Sequence, residues 1–183
     1  PIAKGEVTPK KKITEDPITQ TIKATHEDPN IQIPMLVASY RTPSMKSRDA
    51  RVLDLISSYL SDGKSSKLYK KVVDDKKIAL QIGAVGFSQE DYGMYILYGL
   101  PMGDFTTADL LKEIDEEIVK IQSELISEND YQKLQNKFDN TFVNANSTIE
   151  GIANNLATYY LLYKDINLIN TEIELYHSIT REE

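Results

Sequence analysis

The chain contains no cysteine, no tryptophan and only two histidines among its 183 residues. Without cysteine, neither a disulfide framework nor thiolate chemistry is available to the protein. The absence excludes a small disulfide-stabilised fold and leaves the cellular compartment open. At this length, the chain is expected to form a domain with a hydrophobic core of its own.

Positive charge is in the minority, because Lys and Arg number 21 against 28 Asp and Glu, which gives a net charge of −7. A nucleic-acid-binding protein concentrates Lys and Arg on one face, so this composition argues against that class. No window holds 18 consecutive apolar residues, so no membrane span is predicted. We therefore expect a soluble protein with neither nucleic-acid nor membrane partners.

The N-terminal half is predicted to begin with extended chain and to continue as a helix. Alternating, mostly β-branched residues predict a strand over Ile18–Ala24, and a second extended run covers Ile31–Tyr40. Apolar residues at helical spacing then predict a helix that starts after Ser47 as its N-cap. Gly63 is a suitable residue to end this helix, because glycine accepts a positive φ without a Cβ clash.

A second helix and a hairpin are predicted after the glycine. Ser65 or Ser66 is expected to cap this helix. Alternation over 78–84 and over 92–100 then predicts two antiparallel strands joined by a polar turn. Both strands carry glycine in the register opposite to their apolar residues, which predicts that a packed helix approaches closely there.

The C-terminal half is predicted to be helical, because capping boxes precede runs of apolar residues at helical spacing. A short last helix is predicted over Glu172–Ser178. The order of elements indicates an α+β fold with an antiparallel-rich sheet and helices packed on one of its faces. The predicted capping pairs are Thr106 with Asp109, Ser127 with Asp130, and Ser147 with Glu150.

The polar, proline-containing residues 1–17 are interpreted as a linker or lead-in, and residues 18–183 as one domain. Near the C-terminus, Thr180 and Glu183 have the spacing of a capping box, but no helix follows them. We therefore expect the domain to be truncated at its C-terminal end.

Gly63-Lys64-Ser65 has the sequence that ends a phosphate-binding loop. Such a loop also needs a glycine where Ser58 stands, and it needs a strand before it, whereas this segment is helical by pattern. The residues are better explained as the end of one helix and the start of another. A nucleotide-binding domain stays as a competing hypothesis that titration with ATP and Mg²⁺ would test.

Candidate metal ligands and nucleophiles are scarce in this chain. His26 and His177 lie far apart, and neither has a histidine partner four residues away, so both H-E-x-x-H and H-x-x-E-H are missing. With no cysteine and no recognisable Ser–His motif, the sequence gives no sign of nucleophilic catalysis. We predict no catalytic residue, no metal ligand and no cofactor in this segment.

The stretch 59–63 ends one helix, and the next begins with Ser65-Ser66-Lys67-Leu68-Tyr69. Together with Ile78-Ala79 and the later segments 126–131 and 178–182, this stretch resembles the C-terminal domain of the Peptidase M16 family. This family contains the insulinase, pitrilysin and mitochondrial processing peptidase zinc metallopeptidases. The resemblance runs from about residue 18 to the end and implies an α+β fold of the LuxS/MPP type. The motif residues given a structural role are Gly63, Ser65, Ser66, Leu68 and Tyr69.

The resemblance also implies a division of labour. Family peptidases join an N-terminal domain, which carries H-x-x-E-H and zinc, to a C-terminal domain of this kind, and the two enclose a peptide-holding chamber. The chain then corresponds to the non-catalytic half, with zinc expected in the N-terminal domain of the parent protein. Its expected partners are that domain, in the same chain or in a partner subunit, and a peptide substrate. The bacterial periplasm or cytoplasm is the expected location.

One departure from the family pattern concerns substrate binding. Many family members place an arginine and, seven residues later, a tyrosine that hold substrate and stabilise the tetrahedral intermediate. The corresponding residues here are Val73 and Leu80, which carry neither charge nor a side-chain hydrogen-bond donor. The substrate-binding residues thus stay unknown. A non-peptidase assembly module of the same fold, as in respiratory complexes, stays as the alternative function.

Overall fold

The sheet lies at the centre of the fold and consists of β1 (Leu36–Thr42), β2 (Ala79–Phe87) and β3 (Gly93–Pro101). The strand order is β1-β3-β2, and the central β3 runs antiparallel to both neighbours. Ile96 of β3, for example, is paired with Ser39 of β1 and with Val85 of β2. The hairpin predicted from the alternation of apolar residues is therefore confirmed.

Helices account for most of the remaining structure. The computed structural model describes residues 5–6, 8–9, 11 and 13–183, and no helix in this part is long and apolar enough to cross a bilayer. Two short π-helical segments accompany the α-helices, at Tyr69–Asp75 and at Tyr159–Tyr163. The α-helices are α1 (Arg48–Ser61), α2 (Thr107–Ser123), α3 (Glu128–Ala145), α4 (Ile149–Thr158) and α5 (Leu168–His177).

The helices pack on the face of the sheet that contains Tyr95 and Leu97 of β3. These two residues are buried, as are Leu110 and Ile114 of α2 and Val72 of the first π-helical segment. Burying a large apolar side chain stabilises a fold by roughly 1.5–3 kcal/mol. The predicted α+β arrangement with helices on one face is confirmed.

Gly99 allows α2 to approach the centre of the sheet. A Cβ atom at this position would lie 2.4 Å from Cδ2 of Leu110 and 3.1 Å from the carbonyl oxygen of Gln81. The predicted close approach of a helix over a strand glycine is thus confirmed here. At Gly83 the neighbour is different, because the ring of Tyr98 on the adjacent strand covers the glycine, at 2.3 Å from an ideal Cβ.

The edge strand β2 is partly protected by α1. The hydroxyl of Ser61 accepts a hydrogen bond from the amide of Ala84 at 2.7 Å and donates to the carbonyl of the same residue at 3.2 Å. Unpaired backbone groups on an edge strand invite association with other chains. The C-terminal turn of α1 satisfies this pair and fixes the helix along the strand.

A polar network fixes α5 against α1 and α3. Nε of Arg51 lies 2.9 Å from Oε1 of Glu172, and both side chains are largely buried. The Tyr176 hydroxyl donates to Oδ2 of Asp54 at 2.8 Å, and its ring stacks on Phe138. Burial, together with the Asp54 carboxylate, raises the pKa of Tyr176, so its hydroxyl stays protonated as a donor.

The predicted strand over Ile18–Ala24 is wrong. These residues have no regular structure, and Ile18 and Ile22 are 60% and 80% exposed. The second extended run is also shorter than predicted, because β1 begins only at Leu36. Alternation by itself does not make a strand, because a strand also needs a neighbour to pair with, and none of the three strands pairs with these residues. Part of the predicted lead-in over 1–17 lies outside the described residues.

The N-terminal boundaries of α1 to α5 follow the predictions with two exceptions. Ser47, Thr106 and Ser127 are the N-caps of α1, α2 and α3, as predicted. The cap of α4 is Thr148, one residue later than predicted, and its hydroxyl accepts from the amide of Gly151 at 3.0 Å. The last helix, α5, begins before the predicted position.

We expect the substitution Gly99→Ala to destabilise the domain by roughly 1–3 kcal/mol, because the new methyl group must displace Leu110 or a backbone carbonyl. The free energy of unfolding, measured by urea denaturation, tests this expectation. Gly5→Ala is the matched control, since a Cβ atom there would meet nothing within 4 Å. Equal effects of the two substitutions would contradict the proposed contact.

We expect Tyr176→Phe to lower the free energy of unfolding by about 1–3 kcal/mol, because Asp54 loses a buried donor. Tyr160→Phe removes the same hydroxyl group from a side chain that is 63% exposed, and should change stability little. Urea denaturation of both variants at neutral pH measures the difference. A loss of stability no greater for Tyr176→Phe than for Tyr160→Phe would show that the network contributes nothing.

Candidate functional site

The Gly63 segment joins α1 to the first π-helical segment. Gly63 has a φ of +80°, as predicted for a residue that ends a helix. The hydroxyl of Ser66 donates to the carbonyl of Gly63 at 2.7 Å, so it closes the turn and does not cap the following helix, contrary to prediction. Because α1 and not a strand precedes Gly63, the segment lacks the architecture of a phosphate-binding loop.

Lysine side chains tie this segment to α3. Nζ of Lys133 donates to the hydroxyl of Ser65 at 2.5 Å, and Nζ of Lys67 lies 2.8 Å from Oδ2 of Asp130. The hydrogen bond from Lys67 holds the pKa of the Asp130 carboxyl below its usual range. Lys67 and Lys133 are thus engaged with protein groups and join the segment to α3, which favours a structural role for the turn.

The other two motif residues belong to the core. Leu68 is fully buried, and Tyr69 is half-buried and packs against the same cluster. Leu68 and Tyr69 therefore join the start of the π-helical segment to the core beneath the sheet.

The structure places Val73 and Leu80 in different environments. Val73 packs against the main core from the π-helical segment and is half-buried. Leu80 lies at a bulge between Ala79 and Gln81 of β2, where the pairing with β3 shifts by one residue. A bulge redirects the side chains beside it, and Leu80 and Gln81 are both exposed.

The second face of the sheet is the candidate functional site, and we call it the open face. In β3, Met94, Ile96, Tyr98 and Leu100 alternate with the buried residues, and each is exposed or half-buried. Their partners in β1 and β2 include Val37, which is 55% exposed, and the exposed Phe87. The open face is thus largely apolar and accessible.

One charged residue, Arg41, lies at a corner of the open face. Its Nη2 atom is 2.8 Å from a carboxylate oxygen of Glu15, and its Nη1 atom donates to the carbonyl of Asp16 at 2.5 Å. The guanidinium also lies 5.8 Å from the centre of the Tyr92 ring. These contacts hold part of the lead-in beside β1.

The open face was not predicted from the sequence, although a signal for it exists. The strand Gly93–Pro101 contains no charged residue and is apolar in both registers. A strand that faces water on one side alternates apolar and polar residues. The sequence therefore indicates that a second apolar layer meets this strand, but it does not identify that layer.

The histidines do not form a site. His26 is exposed in the irregular chain before β1, and Nε2 of His177 lies 2.7 Å from Oδ1 of Asp139. In the described part of the chain, no group of three or more His, Asp or Glu side chains is arranged to hold a metal ion.

The comparisons with known proteins agree with the fold and with the motif. Over 141 residues the chain is 26% identical to zinc protease PqqE of Helicobacter pylori, covering 77% of this chain and 31% of that protein. A solved protease from Helicobacter pylori superposes with a TM-score of 0.77 at 21% identity, covering 84% of this chain and 37% of that chain. An inactive peptidase domain from Bordetella parapertussis gives 0.72 at 19% identity, covering 82% and 79%.

This chain thus spans about a third of the length of its Helicobacter relatives. The profile of the Peptidase M16 inactive domain family matches residues 3–138, which is most of the chain and includes the Gly63 segment and the whole sheet. The chain therefore belongs to the Peptidase M16 family, as its inactive domain.

Proposed function

We propose that this chain is the non-catalytic C-terminal domain of an M16-type zinc metalloendopeptidase, and that the open face forms part of the wall of a peptide-holding chamber. The observation that carries the proposal is the uncovered apolar layer on the sheet, with Val37, Phe87 and Met94 exposed. A soluble domain rarely leaves such a layer exposed unless it serves binding. An extended peptide is a suitable ligand, because its side chains can be buried there.

The side chains of the open face are suited to binding a peptide substrate but not to catalysing its cleavage. Its groups are mostly aliphatic and aromatic, and its one charged side chain, Arg41, is paired with Glu15. At the family's substrate-binding positions, Val73 and Leu80 offer no charge and no donor. Apolar contacts bind peptides of varied sequence, and they do not stabilise a tetrahedral intermediate.

The proposal places the zinc ion and the general base in an H-x-x-E-H domain, either in the same parent chain or in a partner subunit. The relative PqqE is named a zinc protease, and this chain covers only 31% of it, which leaves ample length for such a domain. Location in the bacterial periplasm or cytoplasm remains part of the proposal.

Peptide binding to the open face is testable on the chain by itself. We expect an unstructured peptide of about 20 residues, rich in Leu and Phe, to shift the amide NMR signals of β1 and β3. Val37→Glu should weaken this binding about tenfold, since it places an unpaired charge in the apolar contact, and a tenfold change equals 1.4 kcal/mol.

Val119→Glu is the matched control for the peptide experiment. Val119 is 59% exposed, compared with 55% for Val37, but it belongs to α2, which packs on the face of the sheet opposite the open face. Binding should therefore be unchanged in this variant. Signal shifts confined to the helices, or equal weakening by both substitutions, would refute the assignment of the open face.

The assignment of catalysis to a separate H-x-x-E-H domain can be tested by a peptidase assay of this chain and by the sequence of the parent protein. We expect the purified chain to cleave no peptide in the presence of zinc, and the parent protein to do so through an H-x-x-E-H motif followed about 70 residues later by a glutamate. Zinc-dependent cleavage by this chain alone would overturn the proposal. Absence of the motif from the parent and from adjacent genes would favour the assembly module.

A further inference from the structure

A helical arm on the surface carries apolar side chains that the fold does not bury. The arm consists of α4 and the π-helical turn that continues it, residues 149–163. Neither part contains a buried residue, whereas α1, α2, α3 and α5 each contain at least one. The core therefore does not account for the apolar residues of the arm.

These residues form one stripe along the arm. Ile149 is 90% exposed and Tyr160 is 63% exposed, and Ile152 and Leu161 are also exposed. Their spacing is that of residues on one face of a helix. The stripe consists of Ile149, Ile152, Ala153, Leu156, Ala157, Tyr160 and Leu161.

The other side of the arm faces the domain. Nδ2 of Asn155 donates to Oδ1 of Asn146, the residue that caps the end of α3, at 3.0 Å. The rings of Tyr159 and Tyr163 meet edge to face with their centres 5.8 Å apart. Asn155, Tyr159 and Tyr163 are each half-buried and form the inner side of the arm, and the exposed residues of the stripe lie on its outer side.

The charge of the arm limits the kind of partner that it fits. Between Ala145 and Tyr163 the only charged residue is Glu150. A helix that lies on an anionic membrane carries Lys and Arg on its polar face, and a nucleic-acid contact needs the same residues. The arm has neither, whereas depletion of charge with exposed Ile, Leu and Tyr is typical of the centre of a protein–protein interface.

The two ends of the arm carry opposite charges. Glu150 lies in the first turn of α4, and Lys164 follows the last residue of the arm. Neither forms an ion pair with another described residue of the chain. If two arms meet antiparallel along their stripes, Glu150 of each lies near Lys164 of the other. Such a contact is self-complementary, as the two-fold symmetry of a homodimer requires.

We propose that the arm is a self-association surface, and that two copies of this chain pair antiparallel through the stripe with reciprocal Glu150–Lys164 ion pairs. Apolar contact supplies the affinity, and the charged ends set the antiparallel orientation, as flanking charges do in paired helices. The contact involves one short helical arm from each copy. We therefore expect a reversible, concentration-dependent dimer and not an obligate one.

Sedimentation velocity of the full chain between about 1 and 100 µM tests the proposal, because this range brackets a dissociation constant typical of a small interface. We expect monomer at the low end and dimer at the high end. Tyr160→Ser should raise the dissociation constant at least tenfold, whereas Val119→Ser, at an equally exposed apolar site on α2, should leave it unchanged. Circular dichroism verifies that both variants keep their helices.

Exchanging the charges of Glu150 and Lys164 distinguishes antiparallel pairing of two arms from any other contact made through the stripe. Glu150→Lys and Lys164→Glu should each weaken the dimer, because each places like charges at both ends of the contact. The double variant should restore most of the affinity, since it exchanges the two members of each ion pair. A chain that stays monomeric at all concentrations overturns the proposal, and a dimer whose double variant is no tighter than the single variants overturns the antiparallel pairing.

Discussion

The contact between α2 and the centre of the sheet is the constraint on which the rest of the structure depends. β3 is the central strand, and Gly99 leaves the space that Leu110 fills. Because α2 lies so close, Leu97 and Ile114 are completely buried in the same layer. α1 adds to this layer from the β2 edge, where Ser61 bonds to Ala84. Stability is thus concentrated on one face of the sheet.

That concentration leaves the second face of the sheet available for binding. Four large apolar side chains of β3 lie on this face and stay exposed or half-buried: Met94, Ile96, Tyr98 and Leu100. They add little to the core, and a ligand or another domain can contact them. Glycine at position 83 lets the ring of Tyr98 lie flat on the neighbouring strand. The ring of Tyr98 thereby becomes part of the apolar surface that we propose as the peptide-binding wall.

The C-terminal helices show two different means of attachment. α5 is attached by two polar pairs: Arg51 with Glu172, both largely buried, and the buried Tyr176 with the exposed Asp54. Such pairs require a defined geometry, because a buried charge without its partner is strongly destabilising. α4 is attached mainly by its inner side and buries no residue. A domain can leave one helix so exposed at little cost to its core, which makes that helix available to a partner.

Local sequence determined the features that depend on neighbouring residues. Ser47, Thr106 and Ser127 cap helices as predicted, Gly63 ends α1 with a positive φ, and the alternation in 78–100 gives the hairpin. In each case one side chain or one turn decides the conformation, because the relevant hydrogen bonds join residues a few positions apart. The family motif was equally readable, because its residues are close together.

Tertiary structure decided what depends on distant partners. Residues 18–24 alternate like a strand, yet none of the three strands pairs with them, and alternation without a pairing partner does not make a strand. Sequence separates Arg51 from Glu172 and Asp54 from Tyr176 by more than a hundred residues, so their pairing had no local signal. The two apolar registers of β3 were visible in the sequence, but only the packing of α2 against Gly99 decided which register is buried and which is left as the open face.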